Sequence, residues 1–190
     1  MYRQKNKQIL EEISRLETLK RGVVVGRSET PVTTVTSLGK FYSKTEDSEL
    51  YIALKEYSEP EISLRIQIAF ELGLIDLVGE RLPRIVSEFP LFHGLFTDPD
   101  GKPIGVIAED FSKNRSIPVK YCADWPFEVR NVIGLPKDPE HLRSTSFLVD
   151  GIRRIGDFGD FRPLSHTLYL EIAGDYADNL DDFSVKIPLQ

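Results

Sequence analysis

The segment GDFGD, residues 156–160, places two carboxylates three positions apart among glycines. Carboxylate oxygens are ligands that Mg²⁺ prefers, and Asp160 lies close enough to Asp157 along the chain to add its charge to one site. The same residues also suit a plain bend, in which the glycines give the backbone freedom and Phe158 and Phe161 pack inward. The segment therefore indicates either a metal-holding loop or a tight turn between strands.

Other catalytic signatures are missing from the sequence. It has no Gly-x-Ser-x-Gly elbow, no Walker A sequence and no His-Glu-x-x-His, each of which would point to a particular chemistry. The histidines, His93, His141 and His166, are far apart, so their spacing predicts no zinc site. Cys122 is the only cysteine, which excludes an intramolecular disulfide and a zinc site built from several cysteines.

The composition is that of an ordinary globular protein. The 190 residues are 41% hydrophobic and 28% charged, with a net charge of −6 and a pI near 5.2. This length suits one domain, or two small lobes that share an interface, and it can bury a core without disulfides. The acidic balance argues against a large nucleic-acid interface. We see no secretory signal and no apolar run long enough for a membrane span, and therefore expect a soluble cytoplasmic protein without a membrane partner.

Residues 6–20 are predicted to form an amphipathic helix that ends at Gly22. Apolar residues recur there at steps of three and four, and charged residues fill the opposite face. Such a helix either lies on the side of the domain or forms a short coiled-coil seam with a protein partner or a second copy. The apolar positions are Ile9, Leu10, Ile13, Leu16 and Leu19.

The next part of the chain predicts two strands and a second helix. Residues 30–57 are rich in Thr, Val and Tyr around the turn sequence TEDS, which is typical of paired strands. Residues 60–79 fit both strict alternation and one helical face. Their length and Pro60 favour a helix. The apolar helical face would be Ile62, Ile66, Ala69, Phe70 and Gly73.

Two hairpins and a C-terminal strand are also predicted. The sequence DPDG at 98–101 is turn chemistry inside residues 91–111, and Asp150-Gly151 would turn a second hairpin. The pattern of residues 165–176 favours another strand. The acidic residues 175–183 are typical of a solvated loop.

Several segments, in order, resemble parts of the protein-kinase-like superfamily in its aminoglycoside-phosphotransferase branch. YIALKEY at 51–57 resembles the strand that carries the phosphate-holding lysine, and a helix candidate follows. IGVIAEDFSKN at 104–114 is similar to the fifth strand and the hinge, and FLVDGIRRIGDFGDF at 147–161 to the strand-turn-strand that leads into Asp-Phe-Gly. The resemblance covers roughly residues 33–161.

The resemblance implies an α+β fold, with an antiparallel sheet and a packed helix like the N-terminal lobe of that superfamily. The N-terminal helix would occupy residues 1–22 and the lobe residues 23–111. Residues 112–190 would form a reduced C-terminal part.

The resemblance also implies ATP and Mg²⁺ as ligands, because phosphoryl transfer depends on neutralising phosphate charge. Lys55 would hold the phosphates, and Glu71 on the following helix would orient it, with Gln67 as the rival position. Asp157 would hold Mg²⁺ and serve catalysis. The hinge residues whose backbone could meet a purine edge are Glu109, Asp110 and Phe111.

Residues 139–146, PEHLRSTS, depart from the family pattern. His141 stands at the position of the catalytic aspartate and Ser146 at that of the metal-binding asparagine. Histidine can accept a proton near neutral pH, but replacing the catalytic aspartate by histidine is not a conservative substitution. We therefore expect a nucleotide-binding protein whose phosphotransferase activity is reduced or lost. The alternative is a non-enzymatic, β-rich interaction domain that uses the N-terminal helix.

Overall fold

The computed structural model describes residues 1–15, 24–26, 32–42, 49–57, 61–111, 117–118, 131, 135–136, 146–156, 161–162 and 165–186. The α-helices of this part are α1 (Tyr2–Ser14), α2 (Glu61–Arg81) and α3 (His166–Ala177), with short 3-10 helices at Val86–Glu88 and Leu180–Phe183. The strands are β1 (Val24–Gly26), β2 (Val32–Tyr42), β3 (Glu49–Tyr57), β4 (His93–Thr97), β5 (Pro103–Glu109), β6 (Ile117–Pro118), β7 (Leu135–Pro136), β8 (Ser146–Val149), β9 (Ile152–Ile155), β10 (Phe161–Arg162) and β11 (Ser184–Lys186).

The main sheet has six strands in the order β1-β2-β3-β5-β4-β11. Its pairs are antiparallel except for the last, in which β11 runs parallel to β4. Two smaller sheets pair β10 with β7 and order β6-β8-β9. The arrangement confirms the α+β fold with an antiparallel sheet and a packed helix.

Helix α2 confirms the helical interpretation of residues 60–79. It is buried on almost every side, because it lies between the sheet and α3. A helix that is apolar all round is a buried helix. This explains why the apolar residues of α2 do not follow a single helical periodicity. The predicted apolar face is partly wrong: Ile62 and Ile66 are 73% and 45% exposed, whereas Leu64 and Ile68 are buried.

Helix α1 begins and ends earlier than residues 6–20. Its last helical residue is Ser14, and positions 16 and 19 lie outside the described residues. Leu10 and Ile13 are each 1% exposed and belong to the hydrophobic core. The apolar side of the described helix is therefore covered by the protein's own core, as expected for a helix on the side of the domain.

Both predicted hairpins are confirmed. At the first, Gly101 has φ +86° and its N–H donates to the Asp98 carbonyl at 3.0 Å. At the second, Asp150 and Gly151 both have positive φ, 50° and 80°, the combination that a two-residue type I′ turn needs.

The predictions for the C-terminal residues are wrong. Residues 165–176 form a helix rather than a strand, and Ser165 caps it by accepting the Leu168 N–H at 3.1 Å. Residues 175–183 are not a solvated loop, since they finish α3 and form a 3-10 helix. Their aromatic and aliphatic side chains enter the core: Tyr176, Leu180 and Phe183 are each 1% exposed.

The C-terminal helix α3 packs on α2. The Phe70 and Tyr169 rings stack at 4.4 Å between centroids, and the Tyr176 hydroxyl donates to the Asp76 carboxylate. Gly73 lets the helices approach closely, because a Cβ there would lie 1.9 Å from the Ile172 carbonyl oxygen. Helix α3 therefore covers the side of α2 that faces away from the sheet. Among the described residues, no helix combines the length and apolar character that a bilayer crossing requires.

Candidate functional site

Lys55 lies on β3 and reaches the end of the second hairpin. Its Nζ donates to the Gly156 carbonyl at 3.2 Å, a contact between residues 101 positions apart. The lysine is half-buried. Asp157, the predicted magnesium ligand, is the next residue along the chain but lies outside the described residues. The contact therefore brings the predicted phosphate-binding lysine to the residue that precedes the predicted metal ligand.

The strand register places a second polar side chain on the same sheet face as Lys55. Side chains alternate between the two faces of a strand, so Ala53 shares the face of Lys55. Ala53 pairs with Ala108, which pairs with His93. His93 and Lys55 therefore point to one side of the sheet, two strands and two residues apart, which corresponds to roughly 12 Å.

Glu71 reaches this face from α2, but its partner is His93. Its carboxylate contacts Nε2 of His93 and accepts a hydrogen bond from Nε2 of Gln67 at 3.1 Å. Glu71 and His93 are only 2% and 4% exposed. Within the described residues no ion pair joins Glu71 to Lys55. The carboxylate that was predicted to orient the lysine is thus held two strands away, and Gln67 supports it there.

Asn6 on α1 binds the backbone of His93 through two hydrogen bonds. Its side-chain amide donates to the His93 carbonyl at 2.9 Å and accepts the His93 N–H at 2.8 Å. Asn6 is fully buried. Sequence analysis missed this residue, although its position gave a signal: Asn6 lies on the same helical stripe as Leu10 and Ile13, where a polar residue needs a buried partner.

The predicted hinge is engaged in contacts within the protein. The Asp110 N–H donates to the Tyr51 carbonyl at 2.7 Å, and the Glu109 N–H to the Phe92 carbonyl at 3.4 Å. These two N–H groups already have backbone partners. Phe111 is buried, and the Arg154 guanidinium lies 4.3 Å from its ring centroid.

The Glu109 side chain faces Arg154 rather than Lys55. Its carboxylate accepts the Leu91 N–H at 2.6 Å and contacts Nη2 of Arg154 at 2.7 Å. Burial raises the pKa of Glu109 above its ordinary value, and the opposing influence of Arg154 and the Leu91 N–H only partly offsets this shift. Glu109 therefore anchors β9 to the end of β5.

The other predicted site residues are less informative. Ser146 begins β8 opposite Ile155 and is fully buried. His141, the weak candidate for the catalytic base, lies outside the described residues, as does Asp157. Within the described ranges, no group of three His, Cys, Asp or Glu side chains is placed to hold a metal.

Comparisons with known proteins add no assignment. No protein-family model, no curated protein and no solved structure matches the chain. Any function must therefore be argued from the geometry itself. That geometry offers the half-buried amine of Lys55, which contacts Gly156, and the carboxylate of Glu71 on the same side of the sheet, which contacts His93.

Proposed function

We propose that the protein binds a nucleotide triphosphate with Mg²⁺ at Lys55 and that its phosphotransferase activity is reduced or absent. The observation that carries the proposal is the hydrogen bond from Lys55 to the Gly156 carbonyl. It links the middle of β3 to the chain directly before Asp157. A cation beside a carboxylate-bearing segment is the combination that a magnesium–phosphate ligand requires.

The order of elements supports the same proposal. A lysine-bearing strand, a packed helix and a hairpin follow one another, and β8 and β9 then run into the GDFGD segment. In protein kinases the phosphate-binding lysine lies on the third strand and a metal is held by the Asp of Asp-Phe-Gly. Lys55 lies on β3, between β2 and β5, in agreement with that arrangement.

The partner of Glu71 supports reduced activity. An active protein kinase needs an ion pair between its strand lysine and a glutamate on the following helix. Here Glu71 contacts His93 instead, and His141 and Ser146 replace the expected aspartate and asparagine. Lys55 would therefore attract phosphate without the carboxylate that aligns it for transfer.

The test measures the thermal unfolding of the full chain at increasing concentrations of ATP, with and without Mg²⁺. Ligand at 100 times its Kd should raise the free energy of unfolding by about 2.7 kcal/mol. Lys55→Met should abolish the shift, and Lys102→Met, a change at an exposed lysine in the first hairpin turn, should leave it intact. Asp157→Ala should remove the part of the shift that depends on Mg²⁺.

Two results would reject the proposal. One is the absence of any shift at millimolar MgATP, and the other is an equal shift in the wild type and in Lys55→Met. Phosphate transfer that Asp157→Ala abolishes would instead show that full activity survives without the Glu71–Lys55 pair.

A further inference from the structure

Two consecutive arginines of β9 hold the second hairpin to other parts of the protein. Side chains alternate between the two faces of a strand, so Arg153 and Arg154 leave β9 on opposite faces. Arg153 contacts the carboxylate of Glu88 in the first 3-10 helix, and Arg154 contacts that of Glu109 at the end of β5. The hairpin is therefore held on both of its faces.

Arg153 binds Glu88 through two hydrogen bonds. Its Nε donates to Oε2 at 2.7 Å, and its Nη2 donates to Oε1 at 3.2 Å. The two side chains are only 17% and 14% exposed. A bidentate pair of this kind fixes orientation as well as distance, because a planar guanidinium and a planar carboxylate match along one direction. The pair therefore fixes both the distance and the direction of β9 relative to residues 86–88.

Arg154 contacts the two segments that flank the β4–β5 hairpin. Its Nη2 donates to the Glu109 carboxylate at 2.7 Å and to the Phe89 carbonyl at 3.1 Å. Its guanidinium lies 4.3 Å from the centroid of the Phe111 ring, which is within cation–π distance. The Glu109 carboxylate also accepts the Leu91 N–H at 2.6 Å. Arg154 and Glu109 therefore join β9 to the chain before β4 and to the end of β5.

The strand that these arginines hold ends at the proposed nucleotide site. Its last residue is Ile155, and the next carbonyl, that of Gly156, accepts the hydrogen bond from Lys55 at 3.2 Å. Consecutive Cα atoms are about 3.8 Å apart, so the position of Gly156 also limits where Asp157 can lie. The position of β9 therefore determines how closely the chain that follows it approaches the Lys55 amine.

We propose that Arg153 and Arg154 are positioning residues of the nucleotide site and set the distance between Lys55 and the magnesium ligand Asp157. This inference rests on the proposed function. Replacing a residue that orients the ligands of a metal typically lowers metal affinity by about 10- to 100-fold. Each arginine acts through the backbone of β9, without contact to the nucleotide. The magnesium-dependent part of nucleotide binding should therefore depend on both arginines.

The test compares the wild type with Arg153→Lys and Arg154→Lys. Each lysine keeps the positive charge, so Glu88 or Glu109 is not left without a cation, but one ammonium does not reproduce the planar fork of a guanidinium. Calorimetric titration measures the Kd of ATP with and without Mg²⁺. Each variant should bind MgATP about tenfold more weakly and bind magnesium-free ATP within about twofold of the wild type. Arg84→Lys, at an exposed arginine after α2, is the matched control and should change neither value.

Hydrogen exchange of the ligand-free protein provides a measurement that needs no nucleotide. The backbone amides of β8 and β9 should exchange at least about tenfold faster in Arg154→Lys than in the wild type, because a charged hydrogen bond that holds the hairpin is lost. The amides of α2 should exchange at equal rates in the two proteins, since local opening of the hairpin does not require the helix to unfold. Unchanged exchange in the hairpin would overturn the positioning role.

The outcomes separate this inference from the nucleotide proposal. If the wild type does not bind MgATP, the nucleotide proposal fails and the inference fails with it. If the wild type binds MgATP and both lysine variants bind it equally well, only the positioning role is overturned. Equal losses of affinity with and without Mg²⁺ would also overturn that role, because they would show a general effect on the fold.

Discussion

Two polar sites on one face of the main sheet differ sharply in their relation to solvent. At β4, His93 and Glu71 are almost completely buried; Gln67 donates to the Glu71 carboxylate, and Asn6 bonds to the backbone of His93. At β3, Lys55 is half-buried, and its Nζ donates to the Gly156 carbonyl at the end of the second hairpin. The first site links α1, α2 and β4, whereas at the second site the side chain of Lys55 is partly exposed to solvent.

The difference separates a structural role from a binding role. A buried charged group is tolerated only with good partners, and removing one partner leaves the other uncompensated. A half-exposed lysine keeps much of its hydration and can exchange a carbonyl for a phosphate oxygen. We therefore expect changes at His93 to act on stability and changes at Lys55 to act on binding.

The largest expected effect is at the buried pair. His93→Ala should lower the free energy of unfolding by about 3–5 kcal/mol, because it leaves the Glu71 carboxylate buried without its partner. Denaturant titration measures the loss. His166→Ala, at an exposed histidine that begins α3, is the matched control and should change stability by less than about 0.5 kcal/mol. Equal losses of stability in the two variants would show that His93 has no special structural role.

The contact between α2 and α3 should respond next. Gly73→Ala should destabilise by about 1–3 kcal/mol, since the added methyl meets the Ile172 carbonyl in a packed interface. Gly174→Ala provides a control of opposite sign. A Cβ at this helical glycine has no atom within 4 Å, so the change should stabilise by about 0.5–1 kcal/mol. A neutral Gly73→Ala would show that the two helices do not pack this closely.

Glu109 gives a pH-dependent test at the end of β5, the strand that lies between β3 and β4. Its pKa is raised from the ordinary value of 4.5, so the folded state holds this proton more tightly than the unfolded chain. Its contribution to stability is therefore complete below pH 4.5 and is lost as the pH rises through the folded pKa. The loss should be at most about 1.4 kcal/mol per pH unit. Chemical denaturation at several pH values should show this fall in the wild type and not in Glu109→Gln, and parallel profiles would contradict it.

The smallest stability effect is expected at the half-buried cation. Lys55→Met keeps the apolar stem and removes the hydrogen bond to the Gly156 carbonyl, whose loss should lower the free energy of unfolding by about 1 kcal/mol. Denaturant titration without nucleotide measures this value. A loss as large as that of His93→Ala would mean that Lys55 is a structural residue and would erase the contrast between the two sites.

Local sequence signals determined the two hairpins, the N-terminal helix and the strand that carries Lys55. The turn residues of both hairpins act through backbone conformation, which depends on the residues themselves: Gly101 and Gly151 adopt positive φ without a steric cost. The amphipathic pattern of the N-terminal residues likewise predicted a helix with Leu10 and Ile13 inside. The strand position of Lys55 followed from its β-favouring neighbours.

Tertiary packing decided the C-terminal part. Residues 165–176 alternate enough to suggest a strand, but Tyr169, Ile172 and Tyr176 lie on one side of a helix because α2 offers a surface there. The local pattern of residues 165–176 does not reveal that α2 is apolar on two sides, so that one side packs on the sheet and the other needs a second helix.

The candidate site divides in the same way. The sequence by itself determined the chemical types: an amine on a strand, a carboxylate on the following helix and an acidic glycine-rich segment further on. Only the tertiary structure decided the partners, placing Lys55 against Gly156 and Glu71 against His93. The physical reason is strand order, because β5 lies between β3 and β4 and so puts the two polar side chains two strands apart on one face.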